Sequence, residues 1–362
     1  MTKRRFLLPL ILFLVFLMTG CKDKDSAGKC LGEQITSIKE KDSQKLAFLL
    51  EKGIQESDRK YTLKFPEELK DTYLTFLQEA LQTVRFQVSE AKRNGKDEFT
   101  VQVHYTPVDI SSTTMDVSDA FVSSLSSSDL NAEASSLLEK AKEALKESPC
   151  FTKKTYTILT VNKTEDSFQV REEDLKKLLS RAIDTYMAPY DRICELLDAR
   201  DFLTAYLDAS FKGDVTRFAL HTKQTEAEAL AWYDSEAFLP AADLSSDHQK
   251  RYTAAMKELL KQCKYSVGIP KKEDGVYNYT VDVTVTPNKS LKDLLSEWKK
   301  GTYDSEDDVN QALVELLEKY AAAPTYGKET VVTIQLNSAS LMNAGQDGAE
   351  ITRLAREILP IP

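Results

Sequence analysis

Three histidines are the side chains of this chain best suited to acid–base or metal chemistry. His104 falls on the polar face of a predicted strand, whereas His221 and His248 flank predicted helices. No two of them have the close spacing that brings two imidazoles onto one zinc ion. His104 and nearby Asp109 could act as a general base, because imidazole titrates near neutral pH. The scattered positions nevertheless favour solvated side chains, and we predict neither a metal site nor a catalytic residue.

Cysteines are the other reactive side chains, and the chain has 5 of them. Cys263 lies on the apolar stripe of a predicted helix, which indicates a small buried hydrophobic residue. If the chain is exported, Cys30 and Cys150 are the candidate disulfide, which would join the N-terminal segment to the loop before a strand. The chain has no C-x-x-C pair, so we predict no thiol redox centre.

Cys21 ends an N-terminal segment that has the three-part layout of an export signal. Basic residues at 3–5 are followed by an apolar run from Phe6 to Met18 and then by small residues. The apolar run is shorter than the roughly 20 residues that cross a bilayer, and the charged stretch KDKD follows directly after Cys21. We therefore predict a cleaved signal rather than a permanent transmembrane helix.

The ending LMTGC at residues 17–21 resembles the lipobox of bacterial lipoproteins. In that family the cysteine takes a thioether-linked diacylglycerol, and the signal is then cut ahead of it. Gly20 and Cys21 match the family pattern, whereas Met18 stands where leucine is usual. The resemblance implies a lipoprotein anchored by palmitate-type acyl chains on Cys21 to the extracytoplasmic face of the cell membrane. Two acyl chains make a stable anchor where one would be marginal.

Lipid attachment at Cys21 can be tested by intact mass. Protein extracted from bacterial membranes should begin at Cys21 and carry the added mass of a diacylglycerol, because the signal is removed only after the thioether forms. Mass spectrometry of the full chain after expression in a bacterium measures this. A free Cys21 thiol, or an N-terminus elsewhere, would contradict the prediction.

Two stretches of the chain resemble each other in sequence and in pattern. TYLTFLQEALQTVRFQV from Thr72 aligns with RYTAAMKELLKQCKYSV from Arg251, and FTVQVHYTP from Phe99 aligns with YTVDVTVTP from Tyr279. The first pair has the apolar stripe of an amphipathic helix, and the second alternates like a half-buried strand. We therefore predict an α+β fold with two tandem copies of one domain, in each of which helices pack on a curved antiparallel sheet.

The repeat sets the predicted domain boundaries. Pro189 interrupts an apolar helical pattern between the copies, which indicates a junction there. Tyr186 and Tyr190 are available to pack between the two domains. The predicted segments are a signal peptide at 1–20, a lipid-anchored linker at 21–33, repeat 1 at 34–183, a junction at 184–195 and repeat 2 at 196–362.

The second copy opens with FLTAY at 202–206 followed by KGD at 212–214, which resembles the first helix of cystatin-like and nuclear transport factor-like cone domains. This resemblance implies a cone-like fold with a concave sheet. The mature chain also resembles uncharacterised two-domain lipoproteins of Gram-positive Firmicutes. That family has no assigned activity, so the resemblance implies a cellular location and no mechanism.

Charge and the lack of motifs narrow the function. The net charge of -9 opposes wrapping on nucleic acid, and the sequence has no phosphate loop or nucleophile elbow. The favoured hypothesis is a non-enzymatic lipoprotein, without a cofactor, that binds or scaffolds a protein partner, an envelope polymer or a small ligand. One alternative is an enzyme or small-ligand binder that uses the concave side of one sheet, which requires a pocket with convergent polar groups. The other is a rigid spacer that holds a partner away from the membrane.

Overall fold

A computed structural model of the chain describes residues 7–165, 167–234, 244–273, 278–337 and 348–361. The chain combines helices with curled antiparallel sheets, which confirms the predicted α+β class. It divides into two units. Unit 1 comprises Met1–Lys60, Lys64–Leu125 and Asp129–Ile193, and unit 2 comprises Tyr61–Leu63, Ser126–Ser128 and Cys194–Pro362.

Unit 1 is built from one main antiparallel sheet and the helices around it. Its strands are β1 (Phe86–Val88), β2 (Lys92–Arg93), β3 (Glu98–Tyr105), β4 (Val108–Asp109), β5 (Thr155–Lys163), β6 (Phe168–Val170) and β7 (Ile183–Asp184). Its helices are α1 (Leu7–Lys41), α2 (Ala47–Lys60), α3 (Lys70–Thr83), α4 (Ile110–Ser123), α5 (Leu130–Glu147) and α6 (Glu172–Ala182). The main sheet has the order β1–β3–β5–β6, with β2 also paired to β3, and β4 pairs with β7 in parallel.

Sequence alternation decides which face of the sheet is buried. In β3 the odd-numbered residues from Phe99 to Tyr105 are at most 1% exposed, while the even-numbered residues reach solvent. Helix α3 turns its predicted apolar stripe toward the same core. The members of that stripe with 0% exposure are Tyr73, Phe76, Leu77, Ala80 and Leu81.

Helix α1 runs without a break through the segment at 21–33 that was predicted as a linker. Ala27, Leu31 and Ile35 lie one helical turn apart and are 0–3% exposed. They face a surface formed by α3 and by strands β3, β5 and β6, which α1 contacts. From Asp23 onward the segment therefore belongs to the fold, in contrast to the predicted linker. The sequence KDKDSAGK at 22–29 is mostly polar and includes only Ala27 of the buried stripe, so the stripe is not apparent from this part of the sequence.

Helix α1 should therefore contribute to the stability of unit 1. Leu31→Ala in the 22–362 chain leaves a cavity under α1 and should lower the free energy of unfolding by about 2–5 kcal/mol. Glu33→Ala is the matched control, because the Glu33 side chain is 68% exposed, and it should change stability by less than about 0.5 kcal/mol. Urea unfolding followed by circular dichroism measures both variants. Equal stability would mean that α1 does not pack on the sheet.

Unit 2 also consists of a main antiparallel sheet with helices. Its strands are β8 (Lys264–Val267), β9 (Lys271–Lys272), β10 (Asn278–Thr286) and β11 (Thr330–Asn337), in the order β11–β10–β8 with β9 also paired to β10. Its helices are α7 (Ala188–Leu207), which begins in unit 1, α8 (Thr216–Thr222), α9 (Glu226–Trp232), α10 (Ser246–Lys261), α11 (Ser290–Trp298), α12 (Glu306–Ala322) and α13 (Gly348–Ile358).

The main sheets of the two units have matching strand registers. Phe99 pairs with Val161 in unit 1, and in unit 2 the aligned residue Tyr279 pairs with Leu336. Every β3–β5 pair has an equivalent β10–β11 pair, and every β1–β3 pair has an equivalent β8–β10 pair. The two main sheets therefore pair their strands alike, and the tandem duplication stays a prediction.

The closing helix of each unit covers part of the free edge of a long strand. In unit 1 the Thr160 amide of β5 donates to Asp174 of α6 at 2.9 Å. In unit 2 the Gln335 amide of β11 donates to Glu350 of α13 at 3.3 Å. In each unit a carboxylate thus accepts the hydrogen bond of a strand amide to which a further strand could otherwise pair. This protects the edge from pairing with another chain.

The last passage of the chain from unit 1 to unit 2 lies inside helix α7. Pro189 is the second residue of α7 and lies in its first turn, where no N–H is needed for the helical ladder. It therefore begins this helix rather than interrupting one. The division between the units falls between Ile193 and Cys194. Tyr190 is 1% exposed, and its ring centroid lies 4.8 Å from that of Phe65 within unit 1.

Candidate functional site

Two of the three histidines are buried, which corrects the prediction of solvated side chains. His221 is 6% exposed and shares a hydrogen bond of 2.9 Å with Asp201. His248 is 8% exposed and shares a hydrogen bond of 2.9 Å with Gln311. Both partners are distant in the chain, so the spacing of the histidines in the sequence gave no sign of them.

His104 lies on the outer face of β3, with its ring centroid 5.7 Å from that of Tyr156. Asp109, considered as its partner, instead caps helix α4: it accepts from the Ser112 amide at 3.2 Å and from the Thr185 hydroxyl at 2.8 Å. Burial raises the pKa of Asp109, but the hydrogen bonds outweigh burial and hold the pKa below its ordinary value. The carboxylate is thus used to begin a helix.

A charge cluster around His221 joins α8 to α7. Asp201 accepts hydrogen bonds from Arg217 and is bonded to His221, and the Phe202 ring stacks on the imidazole with centroids 5.0 Å apart. Burial raises the pKa of Asp201, but the hydrogen bonds to His221 and Arg217 lower it further than burial raises it. The ionised Asp201 carboxylate of α7 therefore holds the Arg217 guanidinium and the His221 imidazole of α8 in place.

The predicted Cys30–Cys150 disulfide is not formed, because both residues are free thiols. The Cys30 thiol donates to the Phe168 carbonyl at 3.2 Å, and Phe168 pairs with the last residue of β5. Cys150 is exposed in the loop before the first residue of β5, where its amide donates to the Thr113 hydroxyl. The two cysteines therefore lie toward opposite ends of the same strand, a separation that the sequence spacing could not reveal.

Thiol labelling should distinguish the cysteines. In the folded 22–362 chain, Cys150 should react first with Ellman's reagent because it is exposed, whereas burial raises the pKa of Cys263 to about 12 and keeps its thiol protonated. Cys150→Ser should abolish the fast phase, and denatured wild-type protein should show 4 reactive thiols. If only Cys194 and Cys263 reacted after denaturation, the disulfide would be present after all.

Unit 1 has a groove of about 620 Å³ between α3, α5 and one end of the main sheet. Apolar side chains of Leu145 and Pro149 contribute to its surface, and Phe151 adds an aromatic ring that is 46% exposed. Its volume falls in the range of about 300–1,000 Å³ that is usual for small-molecule sites. The polar and charged residues that line it are Glu79, Gln82, Thr83, Arg85, Thr106 and Lys146.

The groove of unit 1 has an excess of positive charge. The Lys146 ammonium lies 3.2 Å from a Glu79 carboxylate oxygen, so these two charges offset each other. Arg85 is exposed, and within the described part of the chain no hydrogen bond or ion pair engages its guanidinium. Exposed lysines follow Phe151 at 153 and 154. The groove is therefore cationic in a chain whose net charge is -9.

The aligned region of unit 2 is closed by its own side chains. Tyr326 occupies the position of Phe151, as the equivalent β-bridges show. The Tyr326 hydroxyl donates to the Gln262 carbonyl at 2.9 Å, and the Lys264 ammonium lies 4.0 Å from the centre of its ring. Lys264 aligns with Arg85. The aromatic ring and the cation that are available in unit 1 are thus engaged with the protein itself in unit 2.

Further polar contacts cross the helix pair of unit 2. The Gln262 side chain donates to the Ala321 carbonyl at 2.6 Å, which joins α10 to the end of α12. Arg251 donates to both carboxylate oxygens of Glu318, at 2.9 and 2.8 Å. The groove that remains there has a volume of about 470 Å³ and is lined by the same charge pair. Glu258 also lines this groove, so its charged residues are one cation, paired with Glu318, and a second carboxylate.

The helix-covered face of each main sheet is filled by side chains. Val101 and Val103 in unit 1, and Val281 and Val283 in unit 2, are all 0% exposed. A ligand on the concave side of a sheet, as one alternative requires, would have to displace these side chains. The groove of unit 1 lies instead between two helices and the end of the sheet, where the sequence pattern gave no indication of a site.

Among the described residues, no group of three His, Cys, Asp or Glu side chains is placed to hold a metal ion. The described helices also include none that is long and apolar enough to cross a membrane. The side chain of Cys21 lies outside the described residues, although its backbone belongs to α1. Lipid attachment there stays a prediction.

Comparisons with known proteins provide one structural relative. No family model matches the chain, and no curated protein matches it. The chain is similar to the crystal structure of a candidate lipoprotein (ycdA) from Bacillus subtilis subsp. subtilis str. 168, with 14% sequence identity and a TM-score of 0.33. The match covers 77% of this chain and 97% of that chain.

Proposed function

We propose that this chain is an extracytoplasmic lipoprotein, held to the cell membrane by lipid on Cys21, that binds an anionic ligand in the groove of unit 1. The ligand has an apolar part that contacts Phe151 and an acidic group that meets Arg85. A small molecule or one segment of an acidic envelope polymer has this chemistry. The export-signal pattern supports the location, and the groove supports the binding role.

The contrast between Arg85 with Phe151 and their aligned residues in unit 2 carries the proposal. Lys264 and Tyr326 contact each other at 4.0 Å, so that region is satisfied within the protein. In unit 1, Arg85 has no partner among the described residues, and Phe151 is 46% exposed. At this end of the sheet, the cation and the aromatic ring are therefore available in unit 1 but not in unit 2. In unit 1 a groove of about 620 Å³ adjoins them.

Arginine suits this role for a geometric reason. Its planar guanidinium presents paired N–H donors that match the two oxygens of a carboxylate or the oxygens of a phosphate. The strand pairing places Arg85 and Lys154 on either side of Thr106, because Phe86 and Thr155 both pair with Tyr105. These two cations therefore flank the end of β3, and both attract an anion bound there.

The charges of the groove support binding rather than catalysis. Glu79 and Lys146 lie 3.2 Å apart and form an ion pair, so each charge is already engaged by the other. A general acid or base must instead be available to the reacting atoms of a substrate. We therefore propose that the charged lining positions a ligand and does not transfer protons to it.

Binding of an amphipathic anion should depend on Arg85 and Phe151. The probe is anilinonaphthalene sulfonate, which combines an aromatic surface with a negative group and fluoresces more strongly in an apolar site. Arg85→Glu and Phe151→Ala in the 22–362 chain should each weaken its binding by about tenfold or more, a loss of about 1.4 kcal/mol. Fluorescence titration of the folded protein measures the dissociation constants.

Lys264→Glu is the matched control, because it makes the same kind of charge change at the aligned position of unit 2. It should leave binding of the probe unchanged within about twofold. Thermal unfolding of each variant verifies that the fold is retained. Equal weakening by Arg85→Glu and Lys264→Glu, or no saturable binding by the wild type, would contradict the proposed site and favour the spacer alternative.

A further inference from the structure

Helix α1 joins the predicted lipid site directly to the core of unit 1. After removal of the signal the helix begins at Cys21, so the lipid-bearing residue precedes Asp23 by about 3 Å along the helix axis. Asp23 is fixed in the fold, because the Lys163 ammonium lies 2.9 Å from each of its carboxylate oxygens. The chain between lipid and fold is therefore too short to act as a flexible tether.

The other end of α1 reaches the opposite end of the sheet. The Lys39 ammonium donates to the Val84 carbonyl at 2.7 Å, just before β1. Asp23 and Lys39 are about 24 Å apart along the helix axis, which is close to the length of β3. Helix α1 thus extends from the end of the sheet that holds Lys163 to the end that holds Arg85 and the groove.

A hairpin tip lies at the same end of the sheet as Asp23. The Lys163 amide donates to the Asp97 carbonyl at 2.7 Å, which brings the tip at 94–97 next to the start of the folded part of α1. Arg93 donates to the carbonyls of Gly95 and Lys96 and so fixes the shape of the tip. The exposed charged residues on and beside this tip are the basic Lys92, Arg93 and Lys96 and the acidic Asp97 and Glu98.

We propose that the tip at 94–97 forms a membrane-facing surface of unit 1 whose partner is the bilayer that holds the Cys21 lipid. The inference rests on the proposed lipid attachment and adds an orientation to it. The tip carries charges of both signs, so the short connection to the Cys21 lipid, and not electrostatic attraction, determines this orientation. The groove lies at the far end of the sheet, about 24 Å from this surface.

Contact quenching on vesicles tests this orientation. Lipidated full-length protein, purified from membranes, is reconstituted into vesicles of phosphatidylcholine and phosphatidylglycerol with a nitroxide on some headgroups. One sample carries a fluorophore at the tip through Lys96→Cys in a Cys150→Ser background, and the other carries it on native Cys150. The nitroxide should quench the fluorophore at 96 at least about threefold more than that at 150, because the two sites lie at opposite ends of a strand about 24 Å long.

A flexible insert provides the matched control. A Gly-Ser segment of about twelve residues between Lys22 and Asp23 spans roughly 20 Å on average and should remove most of the difference between the two labels. Equal or reversed quenching in protein whose intact mass confirms the Cys21 lipid would overturn the orientation while the anchor stands. Protein that carries no lipid on Cys21 would overturn both the orientation and the proposed anchoring.

Discussion

Burial of one face of α1 against the main sheet of unit 1 is the interaction on which both the core of this unit and its connection to the proposed anchor depend. The residues Ala27, Leu31, Ile35 and Ile38 are at most 3% exposed, so the helix cannot leave the sheet without exposing its apolar stripe. The same helix contains Cys21. A packing interaction within the core therefore also determines how the proposed anchor and the folded unit are connected.

The two units show how one pattern of strand pairing can support different local chemistry. A single hydroxyl separates Phe151 from Tyr326, yet the tyrosine hydroxyl donates to a backbone carbonyl at 2.9 Å and holds its ring in place. Phenylalanine has no such donor, so its ring is retained only by apolar contact. Small differences of this kind leave a cationic groove in unit 1 and a self-satisfied surface in unit 2.

Carboxylate side chains accept several of the other hydrogen bonds that stabilise the two units. Asp174 and Glu350 each accept from a strand amide at a sheet edge, Asp109 caps a helix, and Asp201 pairs with a buried histidine. A buried donor without an acceptor would destabilise the fold by about 1–3 kcal/mol. The acidic composition of the chain thus reflects many local pairings as well as a charged surface.

The sequence by itself determined the α+β class, the amphipathic helices at Lys70–Thr83 and Ser246–Lys261, and the alternating strands that follow them. Periodicity predicts these elements because it reports local burial along a helix or strand. Only the tertiary structure decided that α1 joins the core, that Cys30 and Cys150 lie apart, and that His221 meets Asp201. Each of these depends on which distant segments come together, and no local period encodes that. The groove was hidden for the same reason, since its residues come from α3, α5 and loops at the end of the sheet.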